Sequence, residues 1–90
     1  MSTPERPSLI EYPSEFPIKV MGMNVPDFAQ VVADLVRVHD PQFDAARIEM
    51  RPSSSNTYMG LTLFINATSR EQLDAIYLAL TGHPLVKVVI

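Results

Sequence analysis

The sequence contains no cysteine and no tryptophan, and only three glycines. The lack of cysteine excludes a disulfide scaffold, a thiolate zinc site, an iron–sulfur site and a cysteine nucleophile. No apolar run is long enough to cross a membrane or to act as a secretory signal, so we expect a cytoplasmic protein that does not bind membranes. Acidic side chains outnumber basic ones by 10 to 7, which argues against general nucleic-acid binding.

The residues that are present suffice for one small folded domain. The 90 residues are 47% hydrophobic and 19% charged, which is ordinary globular composition. The first 14 residues differ, because three prolines alternate there with polar side chains (Pro4, Pro7 and Pro13). We expect residues 1–14 to form a flexible arm without regular structure and residues 15–90 to form the domain.

Hydrophobic periodicity predicts six elements in the order β-α-β-β-α-β. The strands cover residues 16–21, 46–51, 58–65 and 85–90, the first helix covers 26–39, and the second helix begins after Thr68 or Ser69 and ends before Gly82. Two residue pairs have the spacing of a capping box before the second helix: Thr68 with Glu71 and Ser69 with Gln72. The element order is typical of the ferredoxin-like α+β sandwich, in which two helices cover one face of a four-stranded antiparallel sheet with strand order 4-1-3-2.

The alternation of residues along each strand separates a core face from an open face. The predicted core face carries Ile18, Val20, Ile48, Met50, Leu61, Leu63, Ile65, Val86, Val88 and Ile90. The predicted open face carries four basic residues and one acid, together with threonine, apolar and aromatic side chains: Lys19, Arg47, Arg51, Lys87, Glu49, Thr62, Met21, Tyr58, Phe64, Leu85 and Val89. A basic, partly apolar face suits a protein partner or an anionic ligand, and a solvated surface is the simpler alternative.

Catalytic and metal-binding patterns are not found in the sequence. His39 and His83 each fall at a helix end, where capping is the simpler role, and neither accompanies a nucleophile and a carboxylate at a recognisable spacing. Asp40 and Asp44 are interpreted as solvated loop residues. The signatures of RNA-recognition domains, acylphosphatases and metallochaperones are also missing. We therefore expect no enzyme activity, no metal and no cofactor.

A second candidate binding site is the segment Gly22-Met23-Asn24, which joins the first predicted strand to the first helix. The free N–H groups of a helix N-terminus attract anions, and glycine lets the backbone approach a ligand closely. The alternative is a tight turn in which Gly22 has a positive φ. Gly82 is likewise expected to end the second helix in the left-handed conformation.

Three stretches of the chain match motifs of a known family. They run from Tyr12 to Gly22, from Arg51 to Tyr58 and from Gln72 to Lys87. Together they resemble the YbeD-like family of small bacterial proteins of unknown function, over residues 12–90. One departure is Asn56, where the family usually has glycine, and we expect Asn56 to adopt the left-handed conformation in its place.

The resemblance implies a ferredoxin-like fold similar to ACT regulatory domains, which bind small effectors and pair through sheets or helices. It implies no established enzyme activity. We therefore expect a non-enzymatic regulatory or binding module for a partner protein or a small effector. Its candidate contacts are Lys19, Gly22, Met23, Asn24, Arg47, Arg51, Tyr58, Phe64 and Lys87. The alternative is a structural homo-oligomer, at its simplest a homodimer, that pairs through the apolar edge strand 85–90.

Overall fold

The computed structural model describes residues 11–90, and its elements follow the order β-α-β-β-α-β. They are β1 (Ser14–Met23), α1 (Phe28–Arg37), β2 (Glu49–Pro52), β3 (Tyr58–Ala67), α2 (Arg70–Thr81) and β4 (Val86–Val89). A turn of 3₁₀ helix, Ala45–Arg47, precedes β2. The part of the expected N-terminal arm that covers residues 1–10 lies outside the described residues.

The four strands form one antiparallel sheet in the order β2-β3-β1-β4. The two central strands pair along their whole length, from Ser14 opposite Ala67 to Met23 opposite Tyr58. The edge strands β2 and β4 have only four residues each. The predicted ferredoxin-like α+β fold and its strand order are confirmed.

One apolar core lies between the helices and the sheet. The largest buried side chains come from alternate positions of β1 and β3 and from both helices: Val20, Leu61, Leu63, Ile65, Phe28, Val32, Val36, Ile76 and Leu80. Ile18 lies directly opposite Leu63, so their side chains point to the same face of the sheet. Each fully buried side chain of this size stabilises the fold by about 1.5–3 kcal/mol.

The start of the second strand was predicted wrongly. Ala46 lies in the 3₁₀ turn, where its N–H donates a hydrogen bond to the Asp44 side chain. This local bond competes with strand pairing, so β2 begins only at Glu49. The prediction that Met50 belongs to the core is also wrong. Met50 lies opposite the buried Leu61 but is 60% exposed, because it belongs to a short edge strand whose four residues are all exposed.

A β-bulge interrupts the pairing of β4 with β1. Gly22 lies opposite Val86, but the neighbouring Met21 lies opposite Val88, so Lys87 is an extra residue with no opposite partner in β1. One extra residue moves every later side chain of the strand to the other face of the sheet.

The bulge reverses the predicted facing at the end of the chain. Val89 is buried and lies opposite Val20, whereas Val88 and Ile90 are 48% and 78% exposed. The core assignments of Val88 and Ile90 and the open-face assignment of Val89 are therefore wrong. The open-face assignment of Leu85 is wrong as well, because Leu85 precedes β4 and packs partly buried against the core. The alternation along a single strand carries no sign of the bulge, because the bulge depends on the register with another strand.

The helix ends differ from the predictions in detail. The start of α1 is at Phe28 rather than Pro26, and its last residue is Arg37. Of the two predicted pairs, Ser69 with Gln72 caps α2: the Ser69 hydroxyl accepts a hydrogen bond from the Gln72 N–H at 3.0 Å. The Gln72 side chain does not return the bond to Ser69, because its Oε1 accepts from the Thr68 N–H at 2.8 Å. Gly82 ends α2 with a φ of −79°, so the expected left-handed conformation is wrong. Neither of these helices is long and apolar enough to cross a membrane.

Candidate functional site

The face of the sheet opposite the helices holds a groove of about 710 Å³. It forms where two rows of paired residues cross the sheet from β2 to β4: Arg51, Gly60, Met21 and Val88 in one row and Glu49, Thr62, Lys19 and Ile90 in the next. Gly60 and Thr62 are small and lie side by side on this face of β3, with Phe64 further along the same strand. Three strand spacings give the sheet a width of roughly 14 Å at this level.

The walls of the groove combine apolar and charged side chains. Met21 is 44% exposed on β1, and the exposed Val88 and Ile90 extend the apolar surface over β4. Phe64 lines the groove on β3. Because the backbones of β1 and β3 are hydrogen-bonded on both sides, a ligand in the groove meets mainly side chains.

Two of the four predicted cations line the groove directly. Lys19 belongs to β1 and Arg51 to β2, and neither forms an ion pair with any residue of 11–90. Glu49 is the acid that the sequence placed beside them. Lys87 was predicted to join this cluster, but it is the extra residue of the bulge and does not line the groove.

Arg47 reaches the open face from the 3₁₀ turn rather than from a strand. Its guanidinium lies 4.8 Å from the centroid of the Phe64 ring, and Nη1 donates a hydrogen bond of 2.7 Å to Glu15 Oε1. The bond lowers the pKa of Glu15 and raises the pKa of Arg47. Sequence reasoning missed Glu15 because it lies 32 residues from Arg47. With Glu15 as a second acid, the face is less basic than predicted.

Tyr58 and Met23 lie outside the groove. They are opposite each other where β1 ends and β3 begins. Tyr58 is exposed there, as its predicted place on the open face requires, but it does not line the groove. Of the predicted contacts, the structure therefore brings together Lys19, Arg51 and Phe64, with Arg47 at the side of the Phe64 ring.

The Gly22 segment has a structural explanation. Gly22 belongs to β1 and its φ is not positive, so the predicted tight turn is wrong. A Cβ atom at this position would overlap the ring of Phe28 and the carbonyl oxygen of Leu85. Glycine is therefore required by close packing of the helix and the chain before β4 against the strand.

Asn24 ties the end of β1 to the turn between β2 and β3. Its Nδ2 donates a hydrogen bond to the carbonyl oxygen of Asn56 at 2.9 Å, and its backbone N–H donates one to the carbonyl oxygen of Thr57 at 3.2 Å. Asn56 has a φ of 62°, so the predicted left-handed conformation is confirmed. These bonds use the Nδ2 and the backbone N–H of Asn24 for the fold.

Asp40 is a buried polar residue that sequence reasoning assigned to solvent. It is only 3% exposed, and its Oδ2 accepts a hydrogen bond of 2.9 Å from the backbone N–H of Asn66. Gln72 Nε2 donates to the carbonyl oxygens of His39 and Asn66. The network joins the chain after α1, the end of β3 and the start of α2. Nothing in the local sequence marks Asp40 as buried.

The histidines contribute to turns and loops. His83 Nδ1 accepts a hydrogen bond from the Leu85 N–H at 3.1 Å, in the turn before β4. Within residues 11–90, no cluster of three or more histidine, aspartate or glutamate side chains has an arrangement that would hold a metal ion.

Comparison with known proteins gives one consistent result. Residues 7–90 match the family model described as a protein of unknown function (DUF493). A UPF0250 protein from Ralstonia nicotianae is 62% identical over 99% of this chain and 92% of its own length. UPF0250 proteins from Bordetella parapertussis and Leptothrix cholodnii are 59% and 52% identical, each over 97% of this chain and 96% of their own length. None of these names states an activity.

Proposed function

We propose that this chain, which belongs to the DUF493 family of unknown function, is a non-enzymatic binding module. The family is the one that its YbeD-like motifs predicted. The protein partner of the module docks on the open face of the sheet. The observation that carries the proposal is the groove, in which apolar side chains lie exposed beside two cations without ion-pair partners in residues 11–90. Exposed apolar surface of this kind is typical of an interaction site. In the regulatory form of this proposal, binding of the module changes the activity of that partner.

The rigidity of the groove supports this function. Its floor belongs to β1 and β3, which pair without interruption over ten residues each, and the residues between the floor positions are buried in the core. A site built on strands holds its side chains in place better than one built on loops. A partner therefore meets a surface that is already ordered.

The chemistry near the groove favours binding over catalysis. Active sites are typically clefts in which burial and neighbouring charges shift the pKa of an acid or a base. Glu15 and Arg47, whose pKa values shift, are exposed and form an ion pair with each other. Their charges are used in that pair, beside the Phe64 ring, rather than directed at a substrate.

Assembly through a sheet edge is the weaker alternative. At β4, the bulge at Lys87 interrupts the edge and places a charge on it. At β2, Pro52 has no N–H to donate to another strand. Bulges, lysines and prolines are common ways to protect an edge strand from pairing.

The proposal is tested by comparing the proteins that immobilised wild-type and variant chains capture from an extract of the native host. Lys19→Glu with Arg51→Glu removes both groove cations. Lys87→Glu with Arg70→Glu is the matched control, because it has the same net charge and both residues are exposed outside the groove. We expect the first variant to lose proteins that the wild type and the control capture. Equal capture of every protein by all three chains, with unchanged circular dichroism, would refute the open face as the binding site.

A further inference from the structure

We infer that the segment of the partner that lies in this groove is an amphipathic α-helix with acidic residues on both sides of its apolar stripe. The inference rests on the proposed function and specifies the partner's chemistry. It follows from three properties of the groove, which are the kind of backbone contact it offers, its shape and its charge.

The backbone contacts disfavour a segment that binds as an added strand. A strand gains its affinity from hydrogen bonds with an open sheet edge, and the groove lies on the face, where the strands below it are already paired. A segment on this face gains no backbone hydrogen bonds from the sheet, and a helix needs none because it satisfies its N–H and carbonyl groups internally. The two edges are unsuitable for strand addition because of Pro52 on β2 and the bulge at Lys87 on β4.

The shape of the groove suits a helix. From β2 to β1, across β3, the distance is two strand spacings, about 9.6 Å, which is close to the diameter of a helix with its side chains. Gly60 and Thr62 carry small side chains at two successive positions of this face, so a helix above them would approach the sheet closely there. Met21 and Val88 lie to one side of this line and provide apolar contacts for the stripe.

The charge of the groove selects acidic residues. Lys19 on β1 and Arg51 on β2 lie on opposite sides of β3, so they would contact opposite sides of a helix above it. The positive charge of Arg47 is already paired with Glu15. Glu49 would repel a helix that is acidic over its whole surface. The complementary helix therefore has acidic residues at the positions that reach Lys19 and Arg51.

Three synthetic peptides of about four helical turns test the inference. The first has leucines at helical spacing flanked by glutamates on an alanine background. The second has lysines in place of the glutamates, and the third has one central alanine replaced by proline, which breaks the helix. Each peptide is titrated into the isotopically labelled protein, and the amide signals in the two-dimensional NMR spectrum report both the affinity and the site.

We expect the glutamate peptide to bind saturably and to shift the signals of residues that line the groove. The lysine and proline peptides should bind at least about tenfold more weakly, because they lose the ion pairs or the helix. No binding of the glutamate peptide at millimolar concentration would overturn the inference. So would equal binding of the other two peptides, or shifts confined to α2 or to the edge of β4.

Charge reversal gives a stricter version of the test. Lys19→Glu with Arg51→Glu should reverse the preference, so that the lysine peptide binds better than the glutamate peptide. Lys87→Glu with Arg70→Glu should keep the wild-type preference. Thr62→Phe fills the groove without a change of charge and should weaken both peptides, which keeps the test decisive if the charge variant folds poorly. An unchanged preference in the folded charge variant contradicts the inference.

The two proposals can fail separately. If the groove variant loses captured proteins but no glutamate peptide binds, the open face is the docking site and the acidic helix is wrong. If the glutamate peptide binds the groove but capture from the extract is the same for all chains, the proposed function is wrong.

Discussion

On β3, Leu61, Leu63 and Ile65 point towards the helices and are fully buried, whereas Gly60, Thr62 and Phe64 alternate with them on the other face and stay accessible. Both sets belong to one strand and share one backbone ladder. The buried set packs against α1 and α2, while no described helix covers the other set. This small domain therefore places its apolar core on one face of the sheet and leaves the other face accessible to solvent.

The sharpest test of the comparison uses two neighbours on β3. Leu63 is fully buried, so Leu63→Ala should lower the free energy of unfolding by about 2–5 kcal/mol through lost burial and a cavity. Thr62→Ala, on the open face, should change it by less than about 0.5 kcal/mol. Urea denaturation followed by circular dichroism measures both. Similar losses in the two variants would mean that the faces do not differ in this way.

Two strand glycines extend the comparison from side chains to close packing. Gly22→Ala should cost about 1–3 kcal/mol, because the added methyl group overlaps the Phe28 ring and the Leu85 carbonyl oxygen. At Gly60 the added Cβ would be 3.3 Å from the Arg51 carbonyl oxygen, and Gly60→Ala should change stability by less than about 1 kcal/mol. Thermal unfolding midpoints compare the two. A larger loss at Gly60 than at Gly22 would contradict the packing explanation.

The polar network around Asp40 tests whether the stability of the helix-covered side of the sheet depends only on apolar burial. Asp40→Ala removes the acceptor of the Asn66 N–H and should lower the free energy of unfolding by about 1–3 kcal/mol. The control is Asp34→Ala, since Asp34 is an exposed carboxylate of α1 and its loss should cost less than about 0.5 kcal/mol. Hydrogen exchange at the Asn66 amide provides a local readout. Unchanged exchange in Asp40→Ala would exclude the proposed bond.

The smallest expected effect belongs to the ion pair on the open face. The bond from Arg47 lowers the pKa of Glu15 below its ordinary 4.5, so the contribution of the pair to stability is present above pH 4.5 and is lost as the pH falls through the lowered pKa. Because both side chains are exposed, the effect on stability is small. An NMR titration of the Glu15 carboxyl group measures the lowered pKa directly. Arg47→Gln should return the pKa of Glu15 to its ordinary value, and an unchanged pKa would show that Arg47 is not the cause.

Much of the candidate site was predictable because Lys19, Arg51 and Phe64 lie on regular strands where every second residue shares a face. The place of Lys87 was not predictable, because Lys87 is the extra residue of the bulge, where the rule that every second residue shares a face no longer holds. Glu15 was missed for another reason. Its contact with Arg47 joins residues far apart in the chain, and the 3₁₀ turn that presents Arg47 resembles the start of a strand in sequence.

The sequence by itself determined the order of the elements, the ferredoxin-like fold, the strand order and the presence of a side-chain cap before α2. These depend on periodicity within a segment and on the handedness of connections, which act locally along the chain. Tertiary structure alone decided the facing of Val88 and Ile90, the burial of Asp40 and the need for glycine at position 22. Each of these is set by the register or packing of residues that are distant in sequence, so no local pattern contains it.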